Sequence, residues 1–405
     1  IPLSKYKNFE TDPFADYNGY YNDYGLNPYF AIDNWRREGK RQDVLANLRL
    51  GYKPTDWLSF TYMAGLTSQT RIDRNYSKGE VPNEYGLGRS FTLIPGTVEE
   101  QPYAYTRLSS ELFGQLDKQL DGDFRLKAIL GTYVRQTEFR NTEVGAGNLV
   151  VPELYNIGNR TGSLSGASTY SQSRLFSVYG SAALSYKGWA NVEFTGRNDQ
   201  TSLLAMGNNS YFYPGVSGSV LLSDAIPGFK SNAFSYLKLR GAWNKTGNAE
   251  ISPYSLAAIY TQPAYTGFPF GSLPGFTAGN TTYDANLNPE FVNSTEAGIE
   301  SGFLNGRITL EATYFYQKNT DQIISVRTSD ATGYNFANLN AASFINKGIE
   351  MDLGLSPLIK FQDGGVHFRA NATYNNSEVI GVYPGLDEVS IGGYVASGNV
   401  AVIGK

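Results

Sequence analysis

His367 is the only histidine, and the 405-residue chain contains no cysteine. A lone imidazole can act as a general base or a metal ligand, but a triad needs an oriented acid and nucleophile, and zinc needs a full ligand set. His367 alternates with Val366 and Phe368, which places it on the wet side of a strand as a hydrated residue. Disulfides, thiolate metal sites and cysteine nucleophiles are excluded together. Asp121-Gly122-Asp123 looks like a calcium-loop fragment, yet Asp and Gly in that order are what a tight turn requires. The stretch 12–25 is rich in Asp, Asn, Gly and Tyr but lacks EF-hand spacing. Neither a phosphate-cradling Gly-Lys loop nor a dinucleotide fingerprint occurs. No catalytic, cofactor-binding or metal site is expected, and the chain reads as a non-enzyme.

Recognition chemistry is a different matter. The segment 247–292 carries Tyr260, Tyr265, Phe268, Phe270, Phe276 and Tyr283 among Gly and Pro residues. Aromatic rings on a loop can stack on a sugar face or dock a partner, because their large area is favourable once desolvated. The same rings can also pack on neighbouring loops and only hold the segment rigid. The segment 65–103 holds Arg71, Asp73, Arg74, Lys78, Glu80 and Glu84, a solvated charged surface or a contact for ligand. With 33 basic and 37 acidic residues the net charge is −4, and no basic patch supports a nucleic-acid partner.

The elements that carry these residues read as strands. Gly (44), Tyr (30) and Phe (23) are abundant, which favours strands and turns over helices. Period-two alternation dominates. Ile308, Leu310, Ala312, Tyr314 and Tyr316 share one face, opposite Arg307, Thr309, Glu311, Thr313 and Gln317, with Phe315 as the exception. Val44, Ala46, Leu48, Leu50 and Tyr52 oppose Asn47, Arg49 and Lys53. Phe176, Val178, Ala182, Leu184 and Tyr186 oppose Ser177, Ser181 and Ser185. About twelve such strands of roughly 9–14 residues are expected, long against the globular norm. They lie near 42–53, 57–68, 104–117, 122–137, 174–187, 189–199, 211–222, 234–246, 293–303, 306–318, 344–355 and 365–376. No run of about 18 apolar residues forms a membrane helix, but barrel strands escape that test because only alternate residues meet lipid.

Connection lengths alternate. Tight links at 53–56, 117–122, 187–188 and 304–306 separate long ones near 69–103, 138–173, 200–210, 247–292 and 319–343. Long loops at every second connection all emerge at one end of a sheet. Outer-membrane barrels have this asymmetry, with short periplasmic turns and long extracellular loops. The expected fold is therefore all-β, a transmembrane antiparallel up-and-down β-barrel in the bacterial outer membrane. Residues 1–405 form part of one barrel domain, with extracellular loops near 69–103, 138–173, 247–292 and 319–343. Tyr52, Trp57, Tyr186, Trp189 and Phe303 cluster by the tight turns, where aromatic residues favour the headgroup level. The alternative is a soluble or surface-bound glycan-binding β-sandwich or propeller, whose inner faces favour bulky Val, Ile and Leu. Here the apolar faces mix Ala, Gly, Leu, Phe and Tyr, and the opposite faces suit a wet lumen.

Several segments resemble the SusC/RagA class of TonB-dependent outer-membrane transporters. They are Asn27-Pro28-Tyr29 with Asp56-Trp57-Leu58, then Thr195-Gly196-Arg197-Asn198-Asp199, then Asn208-Asn209-Ser210-Tyr211-Phe212-Tyr213-Pro214. Leu237-Lys238-Leu239-Arg240-Gly241-Ala242-Trp243 with Thr246-Gly247-Asn248 follows, then Asn286-Leu287-Asn288-Pro289-Glu290, then Asn346-Lys347-Gly348-Ile349-Glu350. Six matches in family order make the likeness specific. It implies a barrel of about 22 strands, of which about twelve are present, filled in family members by a plug. No plug domain or TonB-box segment is evident, and 399–405 lacks a final aromatic strand, so an internal section is expected. The resemblance further implies active import of an oligosaccharide or peptide, with a SusD-like surface lipoprotein, TonB and outer-membrane lipid as partners and no cofactor. A barrel without TonB coupling, structural or secretory, is the remaining alternative. On the barrel reading, Arg at lipid-facing Leu310 costs roughly 2–4 kcal/mol at the bilayer midplane, while Arg at lumen-facing Thr313 is expected to be tolerated.

Overall fold

Each long strand forms around a stretch of the sequence that alternates. A computed structural model describes residues 2–9, 11, 27–79, 93–231, 233–257, 260–261, 273, 275–383, 385–386, 388–392 and 399–404. Twelve long strands follow one another: β1 (Trp35–Thr55), β2 (Leu58–Ser77), β3 (Thr97–Asp121), β4 (Phe124–Gly147), β5 (Ser165–Tyr186), β6 (Ala190–Thr201), β7 (Ser210–Leu221), β8 (Phe234–Asn248), and, after three short strands β9 (Tyr260–Thr261), β10 (Thr277–Ala278) and β11 (Thr281–Tyr283), β12 (Glu290–Phe303), β13 (Ile308–Arg327), β14 (Phe336–Phe361) and β15 (Gly364–Val382). Each occupies the place its alternation predicts. A last hairpin pairs β16 (Glu388–Gly392) with β17 (Asn399–Val402).

The twelve lie in one sheet in sequence order, each beside its chain neighbour, with β11 added to β14 in parallel. Nearest-neighbour meander order is what short links allow. Register keeps like faces together. Glu300 of β12 stands opposite Lys238 of β8 and Glu311 of β13, and Glu311 stands opposite Asp352 of β14. On the other face Ile299 stands opposite Leu239 and Ala312, and Ala312 opposite Met351.

The connections correct the expected loop limits. β2 continues to Ser77 and β3 begins at Thr97, which leaves 78–96 of 69–103. Likewise β4 and β5 leave only 148–164 of 138–173, and β13 and β14 leave only 328–335 of 319–343. The segment 247–292 stays long, between β8 and β12. In the prolonged parts, water meets both faces, so polar residues appear on both and the apolar alternation fades. Thr137-Glu138-Phe139-Arg140-Asn141-Thr142-Glu143 of β4 shows this. A tilted membrane crossing needs about 9–11 residues; β14, with 26, extends well beyond it. At the turn end the links are 56–57, 122–123, 187–189, 304–307 and 362–363, and a longer one at 222–233 carries the one-turn helix Leu222–Ala225.

Contacts group the chain into two units: Ile1–Asn47 with Gly65–Leu108 and Gln136–Gln172, and Leu48–Ala64 with Ser109–Arg135 and Ser173–Lys405. In the first, the helix Pro28–Asn34 is capped by Asn27, whose side-chain oxygen accepts from the Tyr29 amide at 3.0 Å. Phe30 of that helix is fully buried, edge-on to Phe9 and Trp35. In the second, two small apolar clusters sit at the loop end. Leu204, Tyr211, Ala249 and Leu287 form one; Val326, Ala341 and Val389 form the other.

Candidate functional site

The polar face is a wall of paired charges rather than a cleft. At the turn end, Lys238 donates to Glu300 at 3.0 Å and Tyr236 donates to the same carboxylate at 3.0 Å. Arg240 of β8 reaches across β12 to donate to Glu311 at 2.7 Å and to the Thr313 hydroxyl at 2.6 Å on β13. Asp352 is held from the far side by Arg369, whose guanidinium donates to both carboxylate oxygens. The row Lys238–Glu300–Glu311–Asp352 places three carboxylates on adjacent strands. Like charges directly opposite are unfavourable, and Arg240 and Arg369, set one row away on either side, offset that repulsion.

Toward the loop end a second network forms around Asp199. Arg197 donates to it at 2.8 Å and Tyr213 at 2.5 Å, while Arg197 also donates to the fully buried Ser177. The Arg197 guanidinium lies within cation–π range of Tyr133 and Tyr179. Tyr179 in turn donates to Glu111. The strand register explains the cluster: Arg197 pairs with both Tyr179 and Tyr213, and Asp199 with Ser177 and Tyr211. Two sequence segments singled out for their resemblance, 195–199 and 208–214, thus meet side by side. Sequence alternation marks Arg197 and Asp199 as sharing a face; only the register brings Tyr213 and Ser177 to them.

In the first unit, Asp73 binds Arg37 and Arg71, both at 2.7 Å. The hydrogen bond from Arg37, then that from Arg71, holds the Asp73 carboxyl below its ordinary value. It lies sixteen residues along from Trp57, beyond the length of a membrane crossing. Tyr76 donates to Glu38 at 2.8 Å, and this bond pushes its hydroxyl up. Lys78 pairs with Asp33. Of the charges expected in this region, Glu80 and Glu84 lie outside the described residues, as do residues 12–25.

The loop aromatics divide. Tyr260 is 66% and Phe276 63% exposed. Tyr283 instead packs against the cluster of Leu204, Tyr211, Ala249 and Leu287. Tyr265, Phe268 and Phe270 lie outside the described residues. The loop's far end is pinned, since Asn208 donates to the Asn286 carbonyl at 2.8 Å and Asn340 to the Asn288 carbonyl at 3.0 Å. His367 Nδ1 sits 2.6 Å from the Ser356 hydroxyl on the polar face. Asp121-Gly122-Asp123 forms the β3–β4 turn, where the Gly122 amide donates to the Asp121 carboxylate at 2.7 Å.

The apolar face is exposed along its length, with Leu48, Leu50, Leu112, Leu130, Phe194, Ile349 and Tyr374 all open. A soluble sheet of this size would bury such a face. Wet on one face, apolar on the other, and built of meandering strands, this is the wall of an outer-membrane β-barrel. The chain belongs to the TonB dependent receptor-like, beta-barrel family, whose model matches residues 2–399. It is 26% identical over 364 residues to TonB-dependent receptor P26 of Formosa agariphila, covering 85% of this chain and 35% of that protein. It is 24% identical over 384 residues to TonB-dependent receptor SusC of Bacteroides thetaiotaomicron, covering 92% and 37%. The fold superposes on the structure of the RagAB peptide transporter with a TM-score of 0.83 at 21% identity, over 95% of this chain and 42% of that one. The chain spans about a third of the length of the curated relatives it matches.

Proposed function

We propose that this chain is wall and loop structure of an importer that carries an oligosaccharide or peptide across the outer membrane, driven through TonB and served by a SusD-like surface lipoprotein. The observation that carries the reading is the continuous polar face of paired charges, from Arg369–Asp352 through Arg240–Glu311 to Arg197–Asp199. A wall of this kind stays hydrated and offers hydrogen bonds to a polar solute or to a plug. Family membership supports TonB coupling. The long segment between β8 and β12, with Tyr260 and Phe276 exposed, is the proposed contact for substrate or lipoprotein. In this orientation the tight turns face the periplasm and the long loops the exterior.

The test is a clean deletion of the whole gene in its host, grown on a panel of single oligosaccharides and peptides as limiting nutrient. Loss of growth on at least one of them, reproduced by deleting tonB function, supports the proposal. Normal growth on every nutrient in the panel that requires TonB would count against it. Tagged full-length protein should also co-purify with a surface lipoprotein.

A further inference from the structure

We propose that a groove at Gly218 and Gly241 on the lipid-facing wall holds one acyl chain of a phosphoethanolamine-headed lipid, whose phosphate meets Lys187 and whose ammonium meets Asp123. Gly218 and Gly241 are direct cross-strand partners on β7 and β8. Val192 stands opposite Gly218 on one side, and Ala297 opposite Gly241 on the other. Two missing side chains in one row leave a trough of about 460 Å³, walled by Leu184, Val192, Val220 and Leu239 and closed at its lower end by Tyr186.

The protein's own packing does not call for these two glycines. A Cβ on Gly218 would sit 3.5 Å from the Asn191 carbonyl, and one on Gly241 3.7 Å from the Glu296 carbonyl, both ordinary contacts. Neither has the positive φ that favours glycine. Glycine weakens a strand, so side chains are missing here without a steric cause inside the protein. Gly298 and Gly348, by contrast, are covered by Arg240 and Phe315.

The lower end of the trough has a matching headgroup site. Lys187 lies over the Tyr186 ring at 5.4 Å and pairs with Asp123 at 3.4 Å, with both charged side chains about half exposed. Trp189 packs edge-on to Tyr186, as interfacial aromatics do at headgroup level. An adjacent cation and anion complement a head that carries both a phosphate and an ammonium better than one that is only anionic. Leu184, opposite Val192 in the row of Gly218, lies three residues from Lys187, about 10 Å of strand, which an acyl chain spans. The inference rests on the orientation proposed above, which puts the turns in the inner leaflet, and not on transport.

The full-length protein is purified in mild detergent, stripped of lipid, and titrated with phosphatidylethanolamine or phosphatidylglycerol while native mass spectrometry counts bound lipid. One phosphatidylethanolamine per chain is expected, bound at least fivefold better than phosphatidylglycerol. Gly218→Leu with Gly241→Leu should weaken it at least tenfold while heat-modifiable gel migration stays normal. Lys187→Asn with Asp123→Asn should abolish the headgroup preference and leave chain binding. Equal binding by wild type and the leucine variant would overturn the proposal, as would indifference to headgroup. A dimer lost in the leucine variant would assign the groove to a second copy instead. Co-purified lipopolysaccharide displaced by that variant would place the turns in the outer leaflet and likewise overturn it.

Discussion

Arg240 lies across Gly298, so closely that a methyl group there would sit 2.9 Å from the arginine Nε. The empty side of Gly298 on β12 is what lets the guanidinium of β8 reach Glu311 and Thr313 on β13. Gly298→Val should push Arg240 off both partners. Overpacking costs about 1–3 kcal/mol, read as a lower melting temperature of the full-length protein in detergent. Gly122→Ala, where nothing lies within 4 Å, is the neutral control. Arg240→Ala should relieve much of the Gly298→Val penalty in a double-mutant cycle, since the clash partner is gone.

The Asp199 network makes a graded prediction. Asp199→Asn removes the charge that Arg197 and Tyr213 both address, and leaves a guanidinium short of its anion. The expected loss is about 1–3 kcal/mol, whereas Tyr213→Phe removes one hydrogen bond and should cost about 1 kcal/mol. Urea unfolding of the full-length protein in detergent checks the order. Equal effects would mean that the charge matters no more than the hydroxyl.

The places of all twelve long strands are legible in the sequence because lipid on one face and water on the other impose alternation on residues such as Leu310 and Glu311. Strand ends are less legible. Beyond the membrane, around Thr137 to Glu143, both faces meet water, so no pattern separates a long hairpin from a loop. Phe315 looks like an error in the alternation until register puts it over Gly348, whose added methyl would lie 2.7 Å from the phenylalanine ring. An inward aromatic thus covers a bare backbone that the partner strand leaves open. Tyr283 is the converse case: as a loop aromatic it reads as a contact residue, and only its packing on the cluster of Leu204, Tyr211, Ala249 and Leu287 shows a structural part for it. Nothing in a single strand reveals that Tyr213 and Asp199 meet, because cross-strand partners are fixed by register.

Asp73 gives a pH dependence with a definite sign. Its carboxyl is held below the ordinary 3.8 by Arg37 and Arg71. A carboxylate with a lowered folded value stabilises the fold fully above its unfolded value, and that contribution disappears as pH falls through the folded one. The ends of β1 and β2 in the first unit should therefore keep their protection from pH 8 down to about 4 and loosen only below it. Hydrogen exchange or protease cutting near Arg37 and Asp73 at pH 7 and pH 3 measures this. In Asp73→Asn the local difference between the two pH values should shrink, with the neutral amide already less protected at pH 7.

The lipid face corrects the expectation placed on Leu310. β13 begins at Ile308, so Leu310 lies three residues from the turn, near the interface rather than the midplane. An arginine there should cost only about 0–1 kcal/mol. Tyr314 and its cross-strand partner Ile349 lie about halfway along a crossing of about ten residues, and Ile349 is open to lipid. Ile349→Arg should cost about 2–4 kcal/mol and reduce the heat-modifiable, assembled fraction on gels. Thr313 also departs from expectation. It is 7% exposed and bound by Arg240, so Thr313→Arg sets two guanidinium groups against each other and should impair assembly more than Leu310→Arg does. If Leu310→Arg proves the most damaging of the three, the membrane midplane lies closer to the turns than the strand limits imply.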